Sequence, residues 1–425
     1  MLKKIINTFT TNVVIAILNL LIAIVVSQYL GAAGKGQQSI LITTITFVLL
    51  VCNILGGASL VYLVPRYDNF KIVAPSYIWT ALVCIVLYFL IGIFQDIAPV
   101  YGFHICLLTL ISSFTAINTM ILLGREKIAA KNLIAVIQTV VLILSLLFMF
   151  LVLGQKTIES YIISLYIAFT AAFVISSLYI IKYMNVVSGA QSSFTKVLKD
   201  MFHYGFLNQL SHITQLLSFR LSYYILLLYL GKDSVGIYSN AVALVESVWL
   251  ISKSIATVQY ARIANSDNET YNQALTQKLL RSALLVSFIV LLPMALLPSI
   301  FYKTLFGPEF GSVNILIMIL SPGVFFYNFS LIIGHYFSGK GRYHINTIAS
   351  AIGFVVTVGF CWLLIPLLGI YGAAIAAVLS FVTTSGYVLY VFMKETSFMV
   401  KSFFPGRNDF NEYKSYFFSL ISKNK

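Results

Sequence analysis

Twelve apolar stretches fill this chain almost end to end, and no fold built in water could bury them all. A bilayer core about 30 Å thick is crossed by about 20 apolar residues in a helix. In hydrocarbon each backbone N–H and C=O must be paired within the structure, so runs of this length are read as helices. The spans lie near 9–30, 38–64, 75–95, 100–123, 132–153, 158–181, 204–230, 236–261, 282–301, 312–337, 343–366 and 371–393. Apolar residues make up 60% of the chain and charged residues 9%, with a mean hydropathy of +0.94. A soluble domain would carry roughly 25% charged residues. The expected fold class is an all-α polytopic membrane protein with twelve transmembrane helices.

Orientation follows from the basic residues. Of the 27 lysines and arginines, 21 fall at the termini and on the even-numbered connections. The odd-numbered connections hold four, Lys35, Lys156, Lys232 and Lys303, and the other two, Arg220 and Lys253, lie inside spans. Basic loops stay cytoplasmic, which predicts that both termini lie on the cytoplasmic side of the membrane. Topology and attraction to anionic lipid account for the net charge of +14, and no nucleic-acid partner is needed. Cys52, Cys84, Cys106 and Cys361 all sit in spans without CxxC spacing. They read as buried thiols, with no disulfide framework and no metal site.

The chain echoes itself. Leu30-Gly31-x4-Gly36 joins spans one and two, and Leu230-Gly231-x4-Gly236 joins spans seven and eight. Leu123-Gly124-Arg125 after span four is matched by Ser338-Gly339-Lys340 after span ten. Six spans per half is an even number, so both halves enter the membrane in the same direction, as in parallel-repeat transporters. The expected organisation is an N-terminal lobe at 1–184, a cytoplasmic linker at 185–203, a C-terminal lobe at 204–393 and a cytoplasmic tail at 394–425. No connection is long enough for a folded soluble domain, which needs at least about 50 residues.

Residues Leu364–Ser380 read LIPLLGIYGAAIAAVLS. Pro366 is expected to end one span and Gly369 to make a short turn. Gly372, Ala376 and Ser380 then form a small-residue stripe suited to close helix contact. This stretch, the two LG-x4-G turns and the glycine-plus-cation exits resemble the polysaccharide-exporter branch of the multidrug/oligosaccharidyl-lipid/polysaccharide (MOP) flippase superfamily. Within it the chain is most similar to the Wzx-type O-antigen flippases. The resemblance implies two six-helix bundles facing each other in a MATE-like V. It implies as substrate an undecaprenyl diphosphate bearing a short oligosaccharide, moved from the cytoplasmic to the periplasmic leaflet by alternating access. Membrane lipids, a polysaccharide polymerase and a chain-length regulator are the partners it suggests.

A charge in hydrocarbon costs at least about 2.5–3.5 kcal/mol on insertion scales, so each one calls for a reason. Spans one to six contain only Glu159, at the very start of span six, whereas spans seven and eight contain Arg220, Glu246 and Lys253. Arg220 and Glu246 are each about 15–17 Å along their helices from the shared turn, so the two could meet. Arg220 is a candidate for the carrier's diphosphate, because a guanidinium fork matches phosphate oxygens; a salt bridge to Glu246 is the competing reading. Lys253 is either a cavity cation or a side chain snorkelling to the interface. Glu246 is a proton or cation coupling site, or the structural partner of Arg220. Asn208, His212 and Gln215 share a face of span seven and are polar cavity candidates. No cofactor motif is present, and the coupling ion is left open.

Within spans seven and eight, two cations to one acid favours an anionic lipid substrate over the organic cations of a multidrug antiporter, the chief rival. A membrane enzyme fits less well. The periplasmic connections are short, and His104, His203, His212, His335 and His344 are scattered with no ligand pair at i, i+4. A passive structural role leaves the intramembrane charges of one lobe unexplained.

Overall fold

The computed structural model describes residues 2–57, 59–67, 69–93, 101–183 and 193–396. The linker segment 184–192 and most of the expected tail lie outside that set. Thirteen α-helices occur among the described residues: α1 (Leu2–Gly56), α2 (Ser59–Leu63), α3 (Asn69–Ile93), α4 (Gly102–Gly124), α5 (Ile128–Leu147), α6 (Ile158–Tyr183), α7 (Phe194–Ser247), α8 (Trp249–Ile263), α9 (Glu269–Leu296), α10 (Ser299–Phe306), α11 (Val313–Gly339), α12 (Tyr343–Leu368) and α13 (Ile370–Glu395). A π-helical turn follows α5 at Phe148–Val152, and a 3-10 turn at Pro308–Ser312 precedes α11.

Ten segments are long and apolar enough to cross a membrane, and two of these, Asn7–Leu63 and Phe194–Ser247, run to 57 and 54 residues. Straight, each would be about 80 Å long, nearly three times the hydrocarbon core. Each is broken by one glycine in the left-handed region, Gly31 (φ 66°, ψ −169°) and Gly231 (φ 81°, ψ −174°). Counting the arms on either side of each break gives the expected twelve spans.

The second echo has an equally local cause. After α4, Lys127 N–H donates to Leu122 O (2.8 Å) and Glu126 N–H to Leu123 O (2.9 Å). After α11, Arg342 N–H donates to Phe337 O (2.9 Å) and Gly341 N–H to Ser338 O (3.0 Å). Both are Schellman caps, which place the residue two past the exit glycine at positive φ. Glu126 (57°) and Gly341 (75°) occupy that position.

Three expectations need correction. Pro366 does not end its helix, because α12 runs on to Leu368 and Gly369 (φ 61°) makes the turn. A proline so close to the C-terminus leaves the rest of the helix ladder intact. The second span is not continuous: α1 stops at Gly56 and α2 begins at Ser59. The connection before span ten is not a plain loop, since α10 and the 3-10 turn fill it.

The chain packs into two compact units. The first comprises Met1–Asn240, Ser299–Val313 and Cys361–Ala373; the second comprises Ala241–Pro298, Asn314–Phe360 and Ala374–Lys425. In the first unit Ile22, Val26, Leu41, Ile45, Phe150 and Tyr161 form one apolar cluster. Leu60, Ile117, Ile121, Val197 and Met201 form another in the same unit. The second unit is built around Leu280, Phe329, Ile333, Phe337, Ile345 and Phe392. There Ser380 Oγ donates to Gly353 O (2.9 Å), and a methyl on Gly323 would lie 2.9 Å from Val378 Cα. The small-residue stripe of α13 is therefore buried contact surface.

Candidate functional site

The first unit brings the two glycine turns together at a seam of backbone on backbone. A methyl on Gly36 would lie 1.9 Å from the Lys232 carbonyl oxygen, and one on Gly236 would lie 2.0 Å from that of Ala32. Residues 200 apart thus exchange equivalent contacts. Ser39 Oγ donates to Ser239 Oγ at 2.8 Å across the same seam, and Asn240 Nδ2 donates to Ser27 Oγ at 2.7 Å. Farther along, Thr44 Oγ1 and Tyr224 OH share a 2.8 Å hydrogen bond. In each LG-x4-G motif the first glycine supplies positive φ and the second lets the helices touch.

The strap formed by α10 and the 3-10 turn closes over the first of these turns. Gln28 Nε2 donates to the carbonyls of Thr304 (2.8 Å) and Leu305 (2.9 Å), which end α10. The Glu309 carboxylate accepts the Ala32 N–H at 2.5 Å. It caps the helix that restarts after Gly31, where negative charge is favoured.

The sequence candidates fall into different settings. Arg220 lies on α7 in the first unit, half-buried, with its guanidinium carbon 5.4 Å from the Tyr223 ring centre and Nη1 donating to Phe219 O at 3.3 Å. Tyr223 meets Tyr238 edge-to-face at 5.8 Å, and Tyr238 OH donates to Ala373 O at 3.3 Å. His212 is exposed and Gln215 half-buried on the same helix, whereas the Asn208 side chain lies outside the described residues. Glu246 and Lys253 belong to the second unit. Lys253 is exposed, and its ammonium is 5.8 Å from the ring centre of Trp249. That tryptophan is 1% exposed and donates to Val324 O at 3.0 Å. Glu246 is half-buried near the end of α7.

One charge that sequence reading placed in a wet connection is in fact buried. Lys35 is 5% exposed, in the first turn after Gly31. Its ammonium donates to Gln38 Oε1 at 2.5 Å, and Gln38 Nε2 donates to Tyr161 OH at 3.1 Å. The glutamine three residues on was the only local signal, since counting loop cations treats every one as solvated.

No family model matches the chain. An uncharacterized membrane protein of Methanocaldococcus jannaschii is 28% identical over 202 residues, 46% of this chain and 39% of that protein. The capsular polysaccharide biosynthesis protein CapF of Staphylococcus aureus is 27% identical over 168 residues, 39% of this chain and 42% of its own length. The matches thus span about two-fifths of these relatives. Among solved structures, the lipid II flippase MurJ in an inward closed conformation superposes with a TM-score of 0.71 at 17% identity, covering 95% of this chain and 89% of that one. An inward-facing multidrug resistance MATE family transporter of the MOP superfamily gives 0.70 at 15% identity, covering 89% and 94%. This chain is a multi-pass, all-helical membrane protein with the fold of the MOP-superfamily transporters.

Proposed function

We propose that the chain is a flippase that carries an undecaprenyl-diphosphate-linked oligosaccharide from the cytoplasmic to the opposite leaflet, for a surface polysaccharide such as O-antigen. The observation that carries this reading is the sign of the intramembrane charge, Arg220 and Lys253 against Glu246. The fold shared with a lipid II flippase and the partial match to a capsular polysaccharide protein support it. In this reading residues 1–184 and 204–393 are the two lobes of a duplicated transporter. That division follows duplication, whereas the two packing units follow contact. Both termini are cytoplasmic, as the basic connections require.

Moving a diphosphate-sugar headgroup through hydrocarbon unaided costs many times thermal energy. The protein's work is to replace water around that headgroup, and it makes or breaks no covalent bond. Arg220 would meet the diphosphate, Lys253 would attract it from the cytoplasmic half, and Asn208, His212 and Gln215 would contact sugar hydroxyls. Glu246 would hold the coupling proton or cation, or restrain Arg220 between cycles.

The test is reconstitution. Purified protein in liposomes should move a radiolabelled undecaprenyl-diphosphate oligosaccharide to the far leaflet, and Arg220→Ala should insert normally yet lose that movement. Export of cationic drugs with no movement of the lipid-linked sugar would transfer the case to a MATE-type multidrug antiporter. For that function Glu246 is the residue of interest.

A further inference from the structure

The end of the second span, cytoplasmic in the proposed topology, carries a group of side chains that none of the above uses. α2 and the turn after it supply Tyr62, Arg66 and Tyr67, and the early part of α7 supplies Asp200 and Tyr204. The grouping has a sequence cause, since Tyr62 and Arg66, like Asp200 and Tyr204, stand four residues apart, about one helical turn. Beneath them Leu60, Leu63, Val197 and Met201 are buried in one apolar cluster. A methyl on Gly205 would lie 1.8 Å from the Ile54 carbonyl oxygen, so α7 is pressed on α1 one residue from Tyr204. All of these residues belong to the first unit.

Distances tie the group together. The Tyr62 and Tyr204 ring centres are 5.0 Å apart, with planes tilted by 53°. The Arg66 guanidinium carbon lies 3.5 Å from the Tyr62 ring centre, and its Nη1 donates to the Tyr62 carbonyl. Held at two points, the guanidinium is placed before any ligand arrives. Tyr67 OH donates to Asp200 Oδ2 at 2.6 Å, which ties the acid to the turn after α2. His203 meets the Tyr204 ring edge-to-face at 5.3 Å. Tyr62 and Tyr204 nevertheless remain 46% exposed each. An interfacial belt accounts for exposed tyrosines at a membrane boundary, but not for an acid and a guanidinium fixed beside them.

The chemistry of the set selects its ligand. One cation and one acid offset each other, so neither a phosphate nor an ammonium gains much net attraction. A neutral sugar suits every part: its C–H face takes the apolar ring surface, and its hydroxyls can accept from Arg66 and donate to Asp200. We propose that Tyr62, Arg66, Asp200 and Tyr204 form a carbohydrate-binding subsite on the first unit that receives an uncharged sugar of the lipid-linked oligosaccharide before transport. The proposal rests on the flippase reading and adds to it a separate recognition site for the sugar. Tyr204 lies about 24 Å along α7 from Arg220, so the sugar contact and the diphosphate contact belong to successive stages. The depth is that of a lipid headgroup, because these residues stand where the second span ends and the seventh begins.

The experiment measures equilibrium binding of two radiolabelled probes to the full chain in lipid nanodiscs: bare undecaprenyl diphosphate, and the same carrier bearing a neutral trisaccharide. Wild type should prefer the glycosylated carrier. Tyr62→Ala and Tyr204→Ala should each weaken binding of that carrier by about two- to tenfold, the range of one aromatic contact, with the bare carrier unaffected. Asp200→Asn keeps its size and can still accept from Tyr67, and it should act in the same way, so the test survives if a truncation fails to fold. Tyr204→Phe keeps the ring and should keep most of the preference. Variants that bind both probes as wild type does would make the rings interfacial anchors only, and variants that lose both probes in proportion would make them structural. Either result, or a wild type without preference, would overturn the proposal alone. A wild type that binds neither probe would overturn the substrate reading along with it.

Discussion

Gly31 and Gly231 have the same backbone conformation but different surroundings, so replacing each by alanine separates two energies. An L-residue held at this positive φ with ψ near 180° costs roughly 1–3 kcal/mol. A methyl on Gly231 would meet nothing within 4 Å, so Gly231→Ala should cost about that much and no more. A methyl on Gly31 would lie 2.8 Å from Glu309 Oε2, which holds the Ala32 N–H at 2.5 Å. The carboxylate must retreat and the cap is lost, adding about 1 kcal/mol, the usual worth of an N-cap. Gly31→Ala should therefore cost roughly 2–4 kcal/mol. In a Glu309→Ala background its cost should fall back to that of Gly231→Ala, giving a coupling energy of about 1 kcal/mol. The assay is equilibrium unfolding in mixed detergent–SDS micelles, followed by fluorescence of the three tryptophans. If Gly31→Ala costs no more than Gly231→Ala, or if removing Glu309 leaves the difference intact, then the strap does not hold the first turn.

Two further predictions address the seam and the buried lysine. Ser39→Cys with Ser239→Cys should form a disulfide on mild oxidation, because the wild-type oxygens are 2.8 Å apart; no cross-link in the membrane-embedded protein would dissolve the seam. Lys35→Met should fold at least as stably as wild type, since an apolar chain of similar length removes a buried charge whose hydrogen-bond partner is the neutral Gln38. A loss of more than about 1 kcal/mol in the same micelle titration would show that the ammonium is needed for stability.

Hydropathy made most of this fold legible, because a helix in lipid needs only length and apolarity to be recognised. It failed where a short element continued an apolar run. Ser299–Phe301 reads as the tail of span nine and the residues after it as loop, yet Pro298 and Gly307, with φ at 120°, set Ser299–Phe306 apart as α10. Nor could counting loop cations see that Lys35 turns inward, since burial depends on Gln38 and on Tyr161 from a distant helix. Gln209 and Gly57 belong to distant parts of the chain, yet a methyl on Gly57 would lie 2.5 Å from Gln209 Nε2. Periodicity carries no information about such a meeting.

The strap also explains why the internal echo is imperfect. The turns and the seam repeat at an offset of 200, as Ser39 and Ser239 show. The exits repeat at 215 (Gly124 to Gly339). A methyl on Gly124 would contact Val61 and Val64, and one on Gly339 would contact Tyr260 and Ile263. The ends of the second and eighth spans therefore still keep nearly the first offset. The extra length must enter between Ile263 and Gly339, where sixteen residues connect α9 to α11 against eight between α3 and α4. About half of the added residues enter that longer connection, which forms α10 and the 3-10 turn and bonds Gln28 and Ala32 on either side of Gly31. The duplicated turns are thus alike in backbone and unlike in restraint. The first is held by Gln28 and Glu309 through the strap, whereas beside the second Tyr229 meets Trp362 edge-to-face at 5.9 Å and Leu230 Cδ1 lies 3.5 Å from a methyl placed on Gly369.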